Sequence, residues 1–226
     1  MNTNHRGFTL IELLITISIL SAVLLAGTFT YQTIAQRWQK EIGHFSASQY
    51  ETKHLNILYD ILAGLKPFVV LGENDSPGLL FVGSETRLLG VTKAGPFNTD
   101  YPEVFRLSVE ETDLGKKRLL YQSVSTANTT IFRSDKEIIF TDEFILLDGL
   151  DDIRLNYFGW QSINQRSNGK EQGLLPTWGS TYSGTQTQLM PEKIAVLVKR
   201  GGKDLLFSVS LDTNSLRYVA PYLDRD

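Results

Sequence analysis

The chain has 226 residues, and its 42% hydrophobic and 21% charged residues are typical of a globular protein. Its formal net charge of -3 argues against a nucleic-acid partner, because nucleic-acid-binding proteins concentrate positive charge. It has no cysteine, which excludes disulfides, thiolate zinc sites and cysteine nucleophiles. Its length allows one domain with a proper core beyond an N-terminal segment.

The first predicted element is an apolar helix near the N-terminus. Residues 13–36 carry no charged side chain, and about 20 apolar residues suffice to cross a hydrocarbon core of about 30 Å. We therefore predict a membrane-spanning helix over residues 8–30. Some hydroxyls in it can donate to carbonyls one turn earlier, namely those of Thr16, Ser18, Ser21 and Thr28.

Glu12 is a charged residue directly before this uncharged stretch. A carboxylate at the edge of a bilayer core is costly unless a partner neutralises it. Cleavage between Gly7 and Phe8 would create an α-amine four residues before Glu12, a cation one helical turn away. The competing interpretation is a secretory signal peptide cut after Ala26 or Gly27, and it leaves Glu12 unexplained.

Residues 7–13, Gly-Phe-Thr-Leu-Ile-Glu-Leu, resemble the class III leader of type IV prepilins and type II secretion pseudopilins. The resemblance implies that residues 1–7 are a leader peptide. Prepilin peptidase would cut between Gly7 and Phe8 on the cytoplasmic side and methylate the amine of Phe8. The resemblance also implies that Glu12 pairs with the terminal amine of a neighbouring subunit and so sets the register of assembly. The apolar helix would then be retained, because the cut precedes it.

A helical pattern continues beyond the apolar stretch. Between Ile34 and Leu65 apolar residues recur at spacings of three and four, which is typical of a helix with one buried stripe. Pro67 supplies a stop. We predict one long helix over residues 8–65, whose first half lies in the membrane and whose second half packs on a periplasmic domain formed by residues 31–226.

Beyond Pro67 short apolar runs alternate with turn residues, which is typical of β-strands. The predicted strands are residues 68–71, 79–82, 104–109, 119–124, 137–147, 153–158, 194–199, 205–211 and 216–219. Hairpin turns are predicted at residues 113–116, 201–202 and 212–215, and loops at residues 73–78 and 161–188. This order predicts an α+β fold with a long N-terminal helix packed on an antiparallel β-sheet domain. The resemblance of the leader implies that this fold is of the type IV pilin-like kind.

The last third of the chain indicates which type of pilin-like protein the chain resembles. Residues 153–160 form a strand pattern that ends in aromatic residues and Trp160, a second tryptophan follows at position 178, and Met190-Pro191 leads into another apolar run. This order is similar to the J-type minor pseudopilin of type II secretion. The chain departs from that pattern in having methionine before Pro191 and in separating its tryptophans by 18 residues.

Trp160 and Trp178 are candidate contacts for a partner, because aromatic anchors dominate interface energetics. The alternative is that these rings fill the space between sheet and helix. The polar stretch 165–188 beside them is a candidate contact loop.

The sequence contains no pattern typical of catalysis. Its histidines are His5, His44 and His54. None falls among the predicted strands, so we expect neither a Ser-His-Asp triad nor a shared metal. Asp148, Asp151 and Asp152 could bind calcium through oxygen ligands, but they lack EF-hand spacing and are more typical of a solvated turn. We expect no enzymatic activity, cofactor, metal or small-molecule substrate.

These features predict a structural protein. We expect a minor pseudopilin at the tip of the type II secretion pseudopilus, which primes pseudopilus assembly for protein export across the outer membrane. It would cross the bacterial inner membrane once, with its C-terminal domain in the periplasm. Expected partners are other minor pseudopilins, prepilin peptidase and inner-membrane lipid. The alternatives are a minor type IV pilin that primes an adhesion or motility pilus and, from another class, a membrane-anchored periplasmic enzyme or binding module.

Overall fold

The computed structural model of the chain describes residues 10–72, 75–98, 100–129, 131–212 and 214–223, without the side chains of residues 33–51, 170–172, 216 and 223. Its longest element is helix α1, Leu10–Ala63. This helix confirms the one predicted over residues 8–65, of which residues 8 and 9 lie outside the described part. The chain divides into two compact units, Met1–Thr52 and Lys53–Asp226. The predicted division at residues 7 and 30 stays a prediction.

The unit Lys53–Asp226 consists mainly of β-strands. Its strands are β1 Val69–Leu71, β2 Pro77–Leu79, β3 Val82–Gly83, β4 Arg87–Thr92, β5 Glu103–Glu111, β6 Lys117–Ser125, β7 Asp142–Leu150, β8 Asp152–Gly159, β9 Thr177–Gly179, β10 Tyr182–Ser183, β11 Lys193–Arg200 and β12 Lys203–Ser210. Its further helices are α2 Ile163–Gln172, α3 Gly184–Thr187 and α4 Leu216–Leu223.

These strands form three sheets in which neighbouring strands are antiparallel. One sheet pairs β1 with β2, the six-stranded sheet has the order β10-β3-β4-β5-β6-β7, and the four-stranded sheet has the order β12-β11-β8-β9. A long N-terminal helix followed by antiparallel sheets confirms the predicted α+β, pilin-like arrangement.

The part of α1 from Lys53 onward contributes to the core of this unit. Leu58, Ile61 and Leu62 are fully buried, in one cluster with side chains of both larger sheets, including Phe105 and Leu155. Spacings of three and four residues put them on one face of the helix. Burial of each such side chain contributes about 1.5–3 kcal/mol. The predicted packing of the helix end on the sheets is therefore confirmed.

Helix α1 ends where it meets the segment after β4. The hydroxyl of Thr92 donates to the carbonyl of Ile61 at 2.8 Å, which satisfies one of the last carbonyls of the helix. A Cβ atom on Gly64 would lie 2.6 Å from both the Cβ of Ala94 and the Oγ1 of Thr92. Glycine is therefore needed at this close approach.

Two of the three predicted hairpins are confirmed. Gly115, with a φ of 69°, lies in the turn between β5 and β6. Gly201 and Gly202, with φ angles of 57° and 75°, connect β11 to β12, and positive φ at both positions suits a two-residue hairpin. The third hairpin, predicted at residues 212–215, is wrong because these residues lead into α4.

The strand predicted at residues 216–219 is also wrong, since these residues form the first turn of α4. The carbonyl of Ser215 accepts the N–H of Tyr218 at 3.1 Å, so the turn starts a helix. Val219 is fully buried in the main core cluster. A short apolar run does not distinguish a strand from one face of a helix.

The loop predicted over residues 161–188 contains α2, β9, β10 and α3, so that prediction is wrong there. Ser162 Oγ accepts the N–H of Gln165 at 3.1 Å at the start of α2, and Gly173, with a φ of 69°, ends it. These are ordinary capping residues, which the polar composition of the stretch conceals.

The remaining predicted strands are present with shifted ends. The run at residues 79–82 is divided between β2 and β3, and the strand predicted from residue 137 begins at Asp142. The loop predicted at residues 73–78 ends in β2. Strand β4 is an additional element that contains Gly90, a residue type that weakens strand patterns.

The turn between β7 and β8 is held by ion pairs. Asp151 pairs with Lys116, and Asp152 lies 2.6 Å from Lys117 Nζ and 2.9 Å from Arg154 Nε. Hydrogen bonds from Lys116 and from Lys117 hold the pKa values of Asp151 and Asp152, respectively, below their usual range. These carboxylates therefore neutralise cations of their own unit.

A buried carboxyl group links β5 and β6 to the segment after β4. Glu103 is 1% exposed, and it accepts the hydroxyl of Tyr121 at 2.8 Å and the N–H of Phe97 at 3.0 Å. Burial and the neighbouring Glu103 raise the pKa of Tyr121 far above its usual range. The hydroxyl of Tyr121 therefore remains a hydrogen-bond donor to Glu103.

We expect Tyr121→Phe to lower the free energy of unfolding by about 1–3 kcal/mol, because it leaves a buried carboxyl oxygen without its donor. Tyr157→Phe is the matched control: its hydroxyl donates to the uncharged backbone carbonyl of Ser84 at 2.9 Å, so its loss leaves no carboxyl oxygen without a donor. We expect a loss of about 0.5–1.5 kcal/mol there. Urea unfolding of the full chain in detergent, followed by tryptophan fluorescence, measures both. An equal or larger loss for Tyr157→Phe would contradict this assignment.

We expect stability to fall in acid through Asp152. Its pKa is lower in the folded chain than the value of about 3.9 in an unfolded chain, so its pairs stabilise the fold above that pH and are lost as the pH falls through the lowered value. Asp152→Asn should remove this part of the acid dependence. Asp148→Asn should retain it, since the amide oxygen can still accept the N–H of Gly149. Identical pH dependence of the Tm of the two variants would contradict the prediction.

Candidate functional site

The N-terminal part of α1 is an exposed apolar surface. Leu10–Gln32, 23 residues, is long and apolar enough to cross a membrane by length and composition, and none of it is buried. Leu10 is 82% exposed and Phe29 71% exposed. Contiguous apolar surface of this extent is rare on soluble monomers and marks contact with lipid or protein. The segment is compatible with a membrane anchor.

Hydroxyl side chains within this segment bond to the helix itself. The Oγ atoms of Thr16, Ser18 and Thr28 each donate to the carbonyl four residues earlier, at 2.7, 2.8 and 2.8 Å. The prediction for these three residues is confirmed. Such hydroxyls need no partner outside the helix, which lowers the cost of placing them in an apolar environment.

Glu12 lies in the first turn of the described part of α1, and its side chain is exposed. It is the only charged residue between Leu10 and Gln32. Gly7 and Phe8, the predicted processing residues, lie outside the described residues. Cleavage between them and the pairing of Glu12 with an amine stay predictions.

Trp160 lies inside the unit Lys53–Asp226. It is 8% exposed, and its indole N–H donates to Glu192 at 3.0 Å. A Cβ atom on Gly169 would lie 2.8 Å from its ring, so α2 packs directly against it. A buried indole needs an acceptor, but no sequence pattern identifies Glu192 as that acceptor. The contact of Trp160 with a partner stays a prediction.

Trp178 lies on the surface, in β9 at one edge of the four-stranded sheet. Its side chain is 53% exposed, and its ring centroid is 5.2 Å from that of Phe158. Lys193 Nζ lies 5.7 Å from the centroid of the Phe158 ring. These three residues form the Trp178 patch, which combines an exposed aromatic side chain with a nearby cation. The proximity of Phe158 and Lys193 to Trp178 arises from strand pairing, which the sequence alone does not show.

The described residues contain no group of three or more His, Asp or Glu side chains placed to hold a metal ion. His54 Nδ1 lies 2.6 Å from the carbonyl of Leu146 and so joins α1 to β7. His5 lies outside the described residues, and the side chain of His44 is not described. The acidic turn residues Asp151 and Asp152 pair with cations of the same unit.

A groove of about 690 Å³ lies beside β1. Its lining includes Phe68, Ile131 and Phe132, and the carboxylate of Asp75 at its edge pairs with Arg133 at 2.5 Å. Its volume would suit a small ligand.

A protein family described as the prokaryotic N-terminal methylation motif matches residues 2–28. The matched segment contains Gly7, Phe8 and Glu12 and most of the apolar part of α1. No curated protein matches the sequence. The methylation motif, joined to an exposed apolar helix and followed by antiparallel sheets, indicates a type IV pilin-like protein.

Proposed function

We propose that this protein is a J-type minor pseudopilin at the tip of a type II secretion pseudopilus, where it primes pseudopilus assembly for protein export across the outer membrane. The methylation motif over residues 2–28 carries the proposal. The order of the strand pattern at residues 153–160, Trp178 and Met190-Pro191 favours the J type among pilin-like proteins.

Processing is the first step of the proposed mechanism. Prepilin peptidase cuts after Gly7 and methylates the amine of Phe8, so the mature chain begins directly at the apolar helix. The cut removes the leader with Arg6 and creates a cationic amine four residues before Glu12. The amine partner of the proposed ion pair therefore exists only after processing.

Assembly then exchanges inner-membrane lipid for the apolar helices of neighbouring subunits. Lipid tails are as apolar as leucine side chains, so helix packing alone supplies little preference for one register over another. A slip by one turn would still bring apolar surface against apolar surface. Glu12 distinguishes the registers, because a carboxylate without a partner inside an apolar bundle is costly. Pairing of Glu12 with the amine of a neighbouring subunit would therefore select a single register.

The unit that follows would select the neighbours from the periplasmic side. The proposed partners are other minor pseudopilins, and Trp178 is the better exposed of the two predicted aromatic contacts. The role is mechanical, so we propose neither catalysis nor a cofactor. A minor pilin of a surface pilus would share these features and would be distinguished by pilus genes, rather than secretion genes, beside its own gene. An anchored enzyme would be distinguished by turnover of a small substrate.

We expect Glu12→Ala and Glu12→Gln to leave processing intact but to reduce incorporation into the pseudopilus at least about tenfold, the effect of about 1.4 kcal/mol. Thr16→Val is the matched control: it removes a hydroxyl one turn further along the same helix without changing charge. Mass spectrometry of the mature chain and co-purification with the major subunit measure the two effects. Normal incorporation of Glu12→Gln would contradict the ion-pair mechanism.

We expect N-terminal sequencing of the mature protein to begin at a methylated Phe8. A bulky residue in place of Gly7 should leave the leader attached, because it changes the residue directly before the proposed cut. A chain that begins after Ala26 or Gly27 would instead identify a secretory signal peptide and overturn the proposed function.

A further inference from the structure

Sheet edges in the unit Lys53–Asp226 are protected unequally. Strand β7, at one end of the six-stranded sheet, carries Asp142, Glu143 and Asp148 and has register shifts in its pairing with β6. Charges and bulges are devices that prevent an edge strand from pairing with another chain. Strands β9 and β10, at two other edges, have only three and two residues, and short edges are also protected.

Strand β12, at the remaining edge of the four-stranded sheet, is long and regular, and its charged residues lie only at one end. All eight of its residues pair with β11 without a register shift. Its charged residues, Lys203 and Asp204, lie at the hairpin end, where Asp204 Oδ2 is 3.4 Å from Lys199 Nζ of β11. Residues 205–211 are uncharged. Leu205 is 43% exposed and Leu206 68% exposed. A long, regular, apolar edge strand is a template for one further strand.

The alternation of an antiparallel ladder identifies the backbone groups at this edge. The N–H of Leu211 donates to the carbonyl of Glu192 at 2.8 Å, so odd-numbered residues of β12 direct their N–H and C=O groups toward β11. Even-numbered residues direct these groups away from the sheet. Asp204, Leu206 and Ser208 therefore present donors and acceptors to an incoming strand.

We propose that β12 pairs antiparallel with β12 of a second copy of this chain, which would join two four-stranded sheets into one sheet of eight strands. The twofold axis passes midway between the two Leu206 residues. In this register Leu206 faces Leu206 of the second copy on one face of the sheet, and Leu205 faces Phe207 of the second copy on the other face, twice. Cross-strand apolar pairs of this kind stabilise a sheet.

A second copy suits this edge because the strand is complementary to itself in this register. Among the registers that pair the outward backbone groups, this one alone places Leu206 against another apolar side chain. Asp204 faces Ser208 and Lys203 faces Val209, so no like charges are opposed. A twofold axis between the two Asp204 residues would place two aspartates opposite each other. An axis between the two Ser208 residues would place Asp204 opposite Asp212. Both arrangements are unfavourable.

The test uses single cysteines in the full chain, which has none of its own. In the proposed register the Cα atoms of the two residues 206 lie about 5.5 Å apart, within the range of about 4.4–6.8 Å that a disulfide spans. Residues 208 lie on the same face but about 14 Å from each other, because four residues separate them along the strands. Oxidation in mild detergent should convert Leu206→Cys into a reducible homodimer at least tenfold more efficiently than Ser208→Cys.

Three outcomes would overturn the proposal: equal crosslinking of the two variants, crosslinking of neither, or a Leu206→Cys adduct that mass spectrometry identifies as a different protein. Each leaves the effect of Glu12 on assembly unaffected, so this proposal and the proposed function can fail separately.

Lysine variants provide a second arm that needs no crosslink. Leu206→Lys would face its own copy across the twofold axis and should abolish the dimer seen by sedimentation of the full chain in detergent. Ser208→Lys, the matched control, would face Asp204 of the second copy and should retain it. Both positions are exposed, and urea unfolding checks that both variants fold. A dimer that persists in Leu206→Lys would overturn the register.

Discussion

The structure depends on removing the apolar side chains of one helix from water. Along Leu10–Gln32 these side chains surround α1 on all sides, and the helix has no burial of its own there. From Lys53 onward they occupy one face, and Leu58, Ile61 and Leu62 are buried within the domain core. A helix that is apolar all round requires lipid or other helices, whereas a one-sided helix requires only a sheet.

In both proposed assemblies a charged residue would select the register where apolar contacts do not. In the proposed bundle of N-terminal helices, neighbouring registers would differ little in packing, so Glu12 would decide between them. On β12 the outward backbone groups allow several registers, and the positions of Asp204 and Leu206 separate them. In both proposals a charged residue disfavours the registers in which it would lack a partner or face a like charge. This is how a weakly specific apolar surface can still assemble in one way.

The β domain shows where sequence patterns succeed and where they fail. Long alternating runs such as β5, β6 and β11 are visible in the sequence because one face of each is buried. Strand β4 is less visible, since it contains Gly90, where a Cβ atom would lie 2.8 Å from Leu65. Helix α2 is hidden by its polar composition although Ser162 and Gly173 cap it. Local patterns fail where a distant part of the chain dictates the residue.

The sequence by itself determined the N-terminal features of this protein: the methylation motif, the apolar helix and the position of Glu12 follow from consecutive residues, because a helix and a leader are local in the chain. Only the tertiary structure decided which of the two tryptophans is buried and which is exposed. Trp160 is buried against Gly169 and bonded to Glu192, while Trp178 is exposed beside Phe158. It also decided that β12 lies at the edge of its sheet. These outcomes depend on strand order and on contacts between residues far apart in the chain, which local sequence patterns do not encode.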